Sequence, residues 1–409
     1  MTATMQAARP AVDPAVDPAR DRRRLRGLAL LASIVVSFLA ASAAPAPLYQ
    51  HYALAWHGTA LTTTEVFGVY AGSVLVGLLA LGELSNHVGR RPVLLAALAG
   101  QAVAVLLFAT ASSFGPFFVG RVVQGVAAGA ALGTLGAAMI DLHRRHGTLA
   151  SAAAPGAGTG LGSLVAGLVV GYLPWPTHLI YLVLIAVFAL QAVGVMRMLD
   201  AGETRPGVLA SLRPAITVPP AARRAFLAAA PAVFAFWALA GLYGSLGPAL
   251  ARDLAASTSI ALGGLTLFVM AGFAFVTTIV YRNREARPQL LQGIAALVLG
   301  VAATIVAIEA GSIWGFMAAT AVAGCGFGMG LQGSIRSVAS SVEPHERAGL
   351  LSAVYLVSYA GMGAPAVVAG YLVSRGHSLT GVAMGYAVAL VVLALIALVQ
   401  LLRPTRGRA

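Results

Sequence analysis

Arg121 is the side chain in this sequence with the most chemistry to account for. It sits in RVVQGVAAG, Arg121 to Gly129, within a long apolar stretch, with Gln124 and Gly125 about one turn further along. A guanidinium in hydrocarbon is costly unless it is paired or solvated, so it marks a coupling, conformational or anion-binding role. Snorkelling to headgroups, or a structural hydrogen bond to a carbonyl of the first span, would also accommodate it. An arginine does not titrate and cannot relay protons alone. A carboxylate would have to share that work, and outside the tail and the central loop the acids are Glu65, Glu83, Asp141, Asp253, Glu285, Glu309, Glu343 and Glu346. All fall at or near expected helix ends. Glu65 and Glu309 are the expected proton-sensitive carboxylates, and Asp141 is expected to cap a helix or to interact with arginines at the interface between the halves. Cys325 is the only cysteine, which leaves no disulfide and no cysteine-rich metal site. With no nucleophile, metal cluster or GxxxxGK[ST] loop, neither an enzyme nor a metal or cofactor is expected.

The elements that carry these residues are dictated by composition. The chain is 59% hydrophobic and only 10% charged, with mean hydropathy +0.87, too little charge to cover a soluble surface. Apolar runs of membrane-spanning length predict twelve helices, near 27–48, 64–84, 92–113, 115–140, 148–173, 177–199, 225–250, 259–281, 289–309, 312–335, 349–373 and 379–402. All 26 basic residues are arginine, a bias that fits a GC-rich bacterial genome. With the N-terminus inside and sides alternating, 23 arginines fall in cytoplasmic segments, Arg252 and Arg375 fall outside, and Arg121 lies in a helix. The expected location is therefore a bacterial plasma membrane, multi-pass, with both termini cytoplasmic. Anionic phospholipids rather than nucleic acid are the expected partners of the arginines. Residues 1–26 read as a disordered cytoplasmic tail, 27–199 as one six-helix bundle, 200–224 as a cytoplasmic central loop, 225–402 as a second bundle and 403–409 as a cytoplasmic tail.

The two bundles echo each other. Arg91-Pro92-Val93-Leu94-Leu95 matches Arg287-Pro288-Gln289-Leu290-Leu291, Arg145-His146-Gly147 matches Arg347-Ala348-Gly349, and Gly171-Tyr172-Leu173 matches Gly370-Tyr371-Leu372. The nearly constant spacing predicts a duplicated unit, the architecture of an alternating-access carrier.

Between the second and third spans lies GELSNHVGRRPVLL, Gly82 to Leu95. Gly82 is expected to admit a neighbouring helix, Gly89 to allow a tight reversal, and Arg90 and Arg91 to anchor among headgroups. Arg90 is further expected to reach a helix C-terminus or an acid across the interface between the halves, locking the cytoplasmic side. Gly82, Asn86, Gly89, Arg90 and Arg91 resemble the loop motif of the major facilitator superfamily of secondary transporters. His87 replaces the usual arginine, and Asn86 the usual aspartate. The resemblance implies a weaker latch here, or one in which Glu83 supplies the charge. In the second half the motif is eroded, with Arg282, Glu285 and Ala286 at its key places.

The same resemblance extends to Arg121, Gln124 and Gly125, implying a role in proton coupling. It extends also to GTGLGSLVAG in the fifth span, where Gly158, Gly162 and Gly167 match an efflux-type pattern while Ser163 stands in place of proline. It implies an all-α fold of two pseudo-symmetric six-helix bundles, acting as a monomer on a small-molecule substrate with protons as the coupling ion. Proton-coupled export of a neutral or amphipathic compound is the first expectation. Proton-coupled uptake of a sugar or organic acid is the second, and a non-transporting receptor on the same fold the third. Trp237, Tyr243, Gln332, Tyr355 and Tyr359, with Ser33, Ser37, Ser42 and Tyr49 of the first span, are the candidate cavity residues.

Overall fold

Long apolar segments must satisfy every backbone polar group internally, and these do so as helices. The computed structural model describes residues 18–198, 206–212, 216–343 and 346–402. Among them are twelve helices long and apolar enough to cross a membrane. In the first half these are α1 (Pro18–Ala43), α2 (Ala60–Leu81), α3 (Arg90–Thr110), α4 (Phe114–Leu142), α5 (Arg144–Tyr172) and α6 (Leu179–Met196). In the second they are α7 (Arg223–Ser245), α8 (Ile260–Val280), α9 (Ala286–Glu309), α10 (Ile313–Ala339), α11 (Arg347–Ser374) and α12 (Leu379–Leu402).

Two expectations need correction. The helix begins at Pro18, so Arg22, Arg23, Arg24 and Arg26 extend α1 rather than belonging to an irregular tail; residues 1–17 lie outside the described ones. The first and seventh spans also do not stop where a single helix would. Pro45 and Pro47 interrupt α1, and a 3₁₀ turn (Ala46–Leu48) leads into a short helix, Tyr49–Ala55. After α7, Pro248 opens a matching short helix, Gly247–Leu254. Part of the central loop, with Arg205 and Arg213, and residues 403–409 fall outside the described residues. In its described part, Val208–Ser211 forms one helical turn. The Thr217 amide donates to the Gly349 carbonyl at 3.3 Å, which ties the loop to the second half.

Small residues set the packing. A β-carbon on Gly129 of α4 would collide with the Val74 carbonyl of α2, and one on Gly324 of α10 would collide with the Met270 carbonyl of α8. The two contacts are equivalent, so the internal repeat holds at the level of individual backbone approaches. Two seams then join the halves: α5 against α8, and α2 against α11.

The connectors carrying Arg90, Arg144, Arg145, Arg282, Arg284 and Arg336 share one face of the bundle, here the arginine-rich face. The opposite face carries exposed Tyr172, Trp175 and Trp314, aromatic rings of the kind found at membrane interfaces.

Candidate functional site

Arg121 is 1% exposed and wholly inside the first half. Its Nη1 donates to the Ser42 carbonyl at 3.0 Å and to Gln124 Oε1 at 2.8 Å, and its Nη2 donates to the Tyr49 hydroxyl. The Ser42 carbonyl is available because α1 ends at Ala43, so no amide of a following turn occupies it. Four rings, Tyr49, Tyr70, Phe108 and Phe117, stand 5.3–6.0 Å from the guanidinium carbon. Their π faces stabilise a desolvated cation. No carboxylate pairs with Arg121 among the described residues, so hydrogen bonds and rings do the work of a counterion. Gln101 braces the box by donating to the Gln124 backbone carbonyl at 3.1 Å. Gly125 lets this part of α4 lie directly on Tyr70 and Ser73.

The aromatic ring set was not legible beforehand, although helical spacing from Phe117 to Arg121 would have flagged one member. Towards the arginine-poor face the box continues into a Tyr52–Tyr181 hydroxyl pair at 3.0 Å and a Tyr52–Trp56 stack with centroids 4.6 Å apart.

The acids remain at helix ends. Glu65 is half-buried near the start of α2, beside the α2–α11 seam, whereas Glu309 is exposed at the tip of α9. Asp141 accepts an ion pair from Arg90, the only salt bridge among the described residues. Both belong to the first half, so this pair ties α3 to α4 and does not lock one half to the other. Asn86 and Glu83 are exposed. Gly89 has φ 90° and caps α3, in keeping with its expected reversal. A β-carbon on Gly82 would meet the Leu78 carbonyl of its own helix, while Gly133 of neighbouring α4 approaches the Gly82 carbonyl, an added β-carbon there standing 3.3 Å away. In the second half Arg336 stands at the end of α10 and donates to the Arg284 carbonyl at 2.8 Å and to Gln289 Oε1 at 3.2 Å. Every polar tie described for this face stays within one half.

The cavity candidates divide. Trp237 and Tyr359 meet with ring centroids 5.2 Å apart, Phe327 lies 6.1 Å from Trp237, and Tyr355 is one turn from Tyr359. The Trp237 Nε1 is buried and has no partner among the described residues. Tyr243 is instead packed inside the second half, its hydroxyl 2.9 Å from Thr304 Oγ1 and its ring against Phe316. Gln332 accepts from Gln289 at 2.5 Å, which holds α9 to α10. Ser33 and Ser37 are also taken up within their own half, bonding to Gln191 at 3.1 and 3.0 Å.

Gly158 and Gly162 of α5 face Val36 and Ala40 of α1, whereas Gly167 and the Ser163 carbonyl face α8 across the seam. The fifth helix therefore packs with both halves at once. Arg252, expected on the outer side just beyond the seventh span, is only 7% exposed in the short helix after α7. The helical extension announced by Gly247-Pro248 is the signal that could have placed it.

Comparison with known proteins agrees with this architecture. Residues 28–363 match the model of the Major Facilitator Superfamily. A variant of the nucleoside transporter NupG superposes with TM-score 0.68 at 14% identity, covering 92% of this chain and 99% of that one. A POT family transporter in complex with 5-aminolevulinic acid gives TM-score 0.71 at 14% identity, with 91% and 96% covered. The human organic anion transporter TETRAN gives 0.67 at 18% identity, with 94% and 100% covered. At these identities the likeness is one of fold, while the family match spans most of the sequence. The chain belongs to the Major Facilitator Superfamily and is a multi-pass secondary transporter of that type.

Proposed function

We propose that the chain exports a small neutral or amphipathic organic solute across a bacterial plasma membrane, with its arginine-rich face cytoplasmic. The observation that carries alternating access is the placement of the seams. The close approaches along α5–α8 and α2–α11 involve residues 156–171 of α5 and 60–71 of α2, from mid-membrane to the arginine-poor face. Among the described residues the ion pair and the arginine hydrogen bonds given for the arginine-rich face lie within one half, which supports an arrangement closed outside and able to part inside. Trp237, Tyr355 and Tyr359 supply an apolar aromatic wall with a spare indole donor, suited to a flat organic molecule carrying one acceptor.

The preference for export rests on α5, where Gly158, Gly162 and Gly167 match the efflux-type pattern, with Ser163 in place of its proline, and occupy both within-half and cross-half contacts. Protons are the proposed coupling ion. Glu65 is the carboxylate best placed to carry them, since it is partly buried beside the close approach of α2 and α11, while Arg121 holds the first half rigid around α1. The superposed transporters are named for nucleosides and organic anions, or were crystallised with an aminolevulinate or a peptide conjugate. Cargo that diverse does not narrow the choice, so the aromatic group of Trp237, Tyr355 and Tyr359 carries it.

Everted membrane vesicles test the reading. ATP-independent, proton-gradient-dependent accumulation of amphipathic dyes, abolished by an uncoupler, is the expected result. Accumulation only in right-side-out vesicles would establish uptake instead.

A further inference from the structure

Two buried arginines hold carbonyls of the same interrupted stretch, Ser42 to Leu48, and they are not held alike. Arg121, from the first half, has three hydrogen bonds and four rings around it. Arg252, from the second half, reaches across the interface to the Pro47 carbonyl, where Nη1 donates at 3.3 Å. Among the described residues that is its one hydrogen bond, and a long one. Its Nε, like that of Arg121, is buried without a partner among the described residues, and no carboxylate there pairs with it, so the difference lies in the terminal nitrogens and the rings. The path to Pro47 runs over Gly263 at the start of α8, where a β-carbon would stand 3.3 Å from Nη1 and 3.0 Å from Pro248. The closed outer face thus has a channel shaped to bury a guanidinium, yet offers it little in return for its water. Burial alone lowers the Arg252 pKa from the usual arginine value, although the group stays protonated at physiological pH.

We propose that Arg252 is a positioning residue of the transport cycle, a charged spring that keeps the outer gate reversible. Closing the arginine-poor face withdraws most of its N–H groups from water and returns a single weak bond; opening rehydrates them. A charge buried without a counterion costs free energy, so an apolar side chain of similar volume in its place should favour the state that buries it. The glycine and proline seams around Arg252 are otherwise apolar and well packed, so without the charge the gate would stay shut. The inference rests on the orientation and alternating access proposed above, and its test needs no substrate.

The test uses the full-length protein with Cys325→Ala and the reporter Thr64→Cys, in right-side-out vesicles. Thr64 is 1% exposed and covered by Gly370 in the α2–α11 seam. A membrane-impermeant maleimide therefore labels the reporter only when the outer face opens. Arg252→Met should slow labelling by about fivefold or more, and Arg252→Lys, which keeps the charge, should stay within about twofold of the parent. Labelling of Arg252→Met at the parent rate or faster would overturn the proposal, since the arginine would then be a latch or mere packing. Should Arg252→Met fail to fold, Arg252→Gln gives the same reading, with slower labelling expected and equal or faster labelling contradicting it. Failure of dye export leaves these rates interpretable. A parent that never labels from outside would instead contradict alternating access itself.

Discussion

The two seams that join the halves are related by the internal repeat but are built differently. In the α5–α8 seam Gly264 lies directly on the Ser163 carbonyl, and Gly167 lies close to Ala261, where a β-carbon would stand 3.1 Å from its Cα. In the α2–α11 seam the corresponding Gly68 is faced by a side chain, with an added β-carbon 2.7 Å from Val367 Cγ2 and 3.9 Å from the Gly363 carbonyl. At these corresponding positions one seam is backbone on backbone and has little give, although Gly370 of the second seam also lies near the Ala60 carbonyl, 2.8 Å from an added β-carbon. The other is filled by a branched side chain that can change rotamer. Rocking of the halves therefore has a stiff side and a compliant side, and the efflux-type pattern of α5 lies on the stiff one.

Substitutions can break or sharpen this contrast. The largest effect is expected from Gly264→Leu, which cannot be fitted against Ser163 without parting the helices. Transport in vesicles should fall by at least about tenfold, with the purified protein still monodisperse. Gly68→Ala, at the equivalent position of the compliant seam, should cost no more than a few-fold. Equal losses at the two sites would erase the distinction. Arg121→Ala should come next, lowering stability by about 3 kcal/mol, since it leaves Gln124 and the Tyr49 hydroxyl without a partner and a void among four rings. A thermal melt in detergent reads it.

Smaller effects sort the remaining polar groups. Tyr243→Phe should cost about 1 kcal/mol through loss of the Thr304 contact, with substrate affinity unchanged, because Tyr243 is structural. Ser163→Ala removes a hydroxyl that is buried without a partner among the described residues and should stabilise the protein by about 1 kcal/mol. The smallest change is expected from Asp141→Asn. Its ion pair with Arg90 is exposed, with side chains 61% and 29% accessible, and such pairs contribute only about 0–1 kcal/mol.

Much of this frame was legible in the sequence because hydrophobic span length and arginine spacing act locally along the chain. The predicted spans 259–281 and 379–402 fall within a residue or so of α8 and α12. What escaped was decided by rotation and by distant neighbours. Arg90 finds Asp141 in its own half, Tyr243 turns inward to Thr304, and Gln332 turns to Gln289. None of these choices is encoded in spacing along one helix, since a helix face says only that a residue has a partner, not which helix supplies it. Arg252 escaped for another reason, because a proline-initiated extension looks like a loop when only hydropathy is followed.

The central claim is that the halves pivot about these seams, so that one face closes as the other opens. Spin-label distances across each face test it most directly, with one pair replacing exposed Trp175 and Trp314 and the other replacing Arg145 and Arg284. The account predicts opposite changes, the first distance lengthening and the second shortening, when conditions shift the protein from the inward to the outward state. Two distances that rise together, or neither moving while transport proceeds, would contradict it.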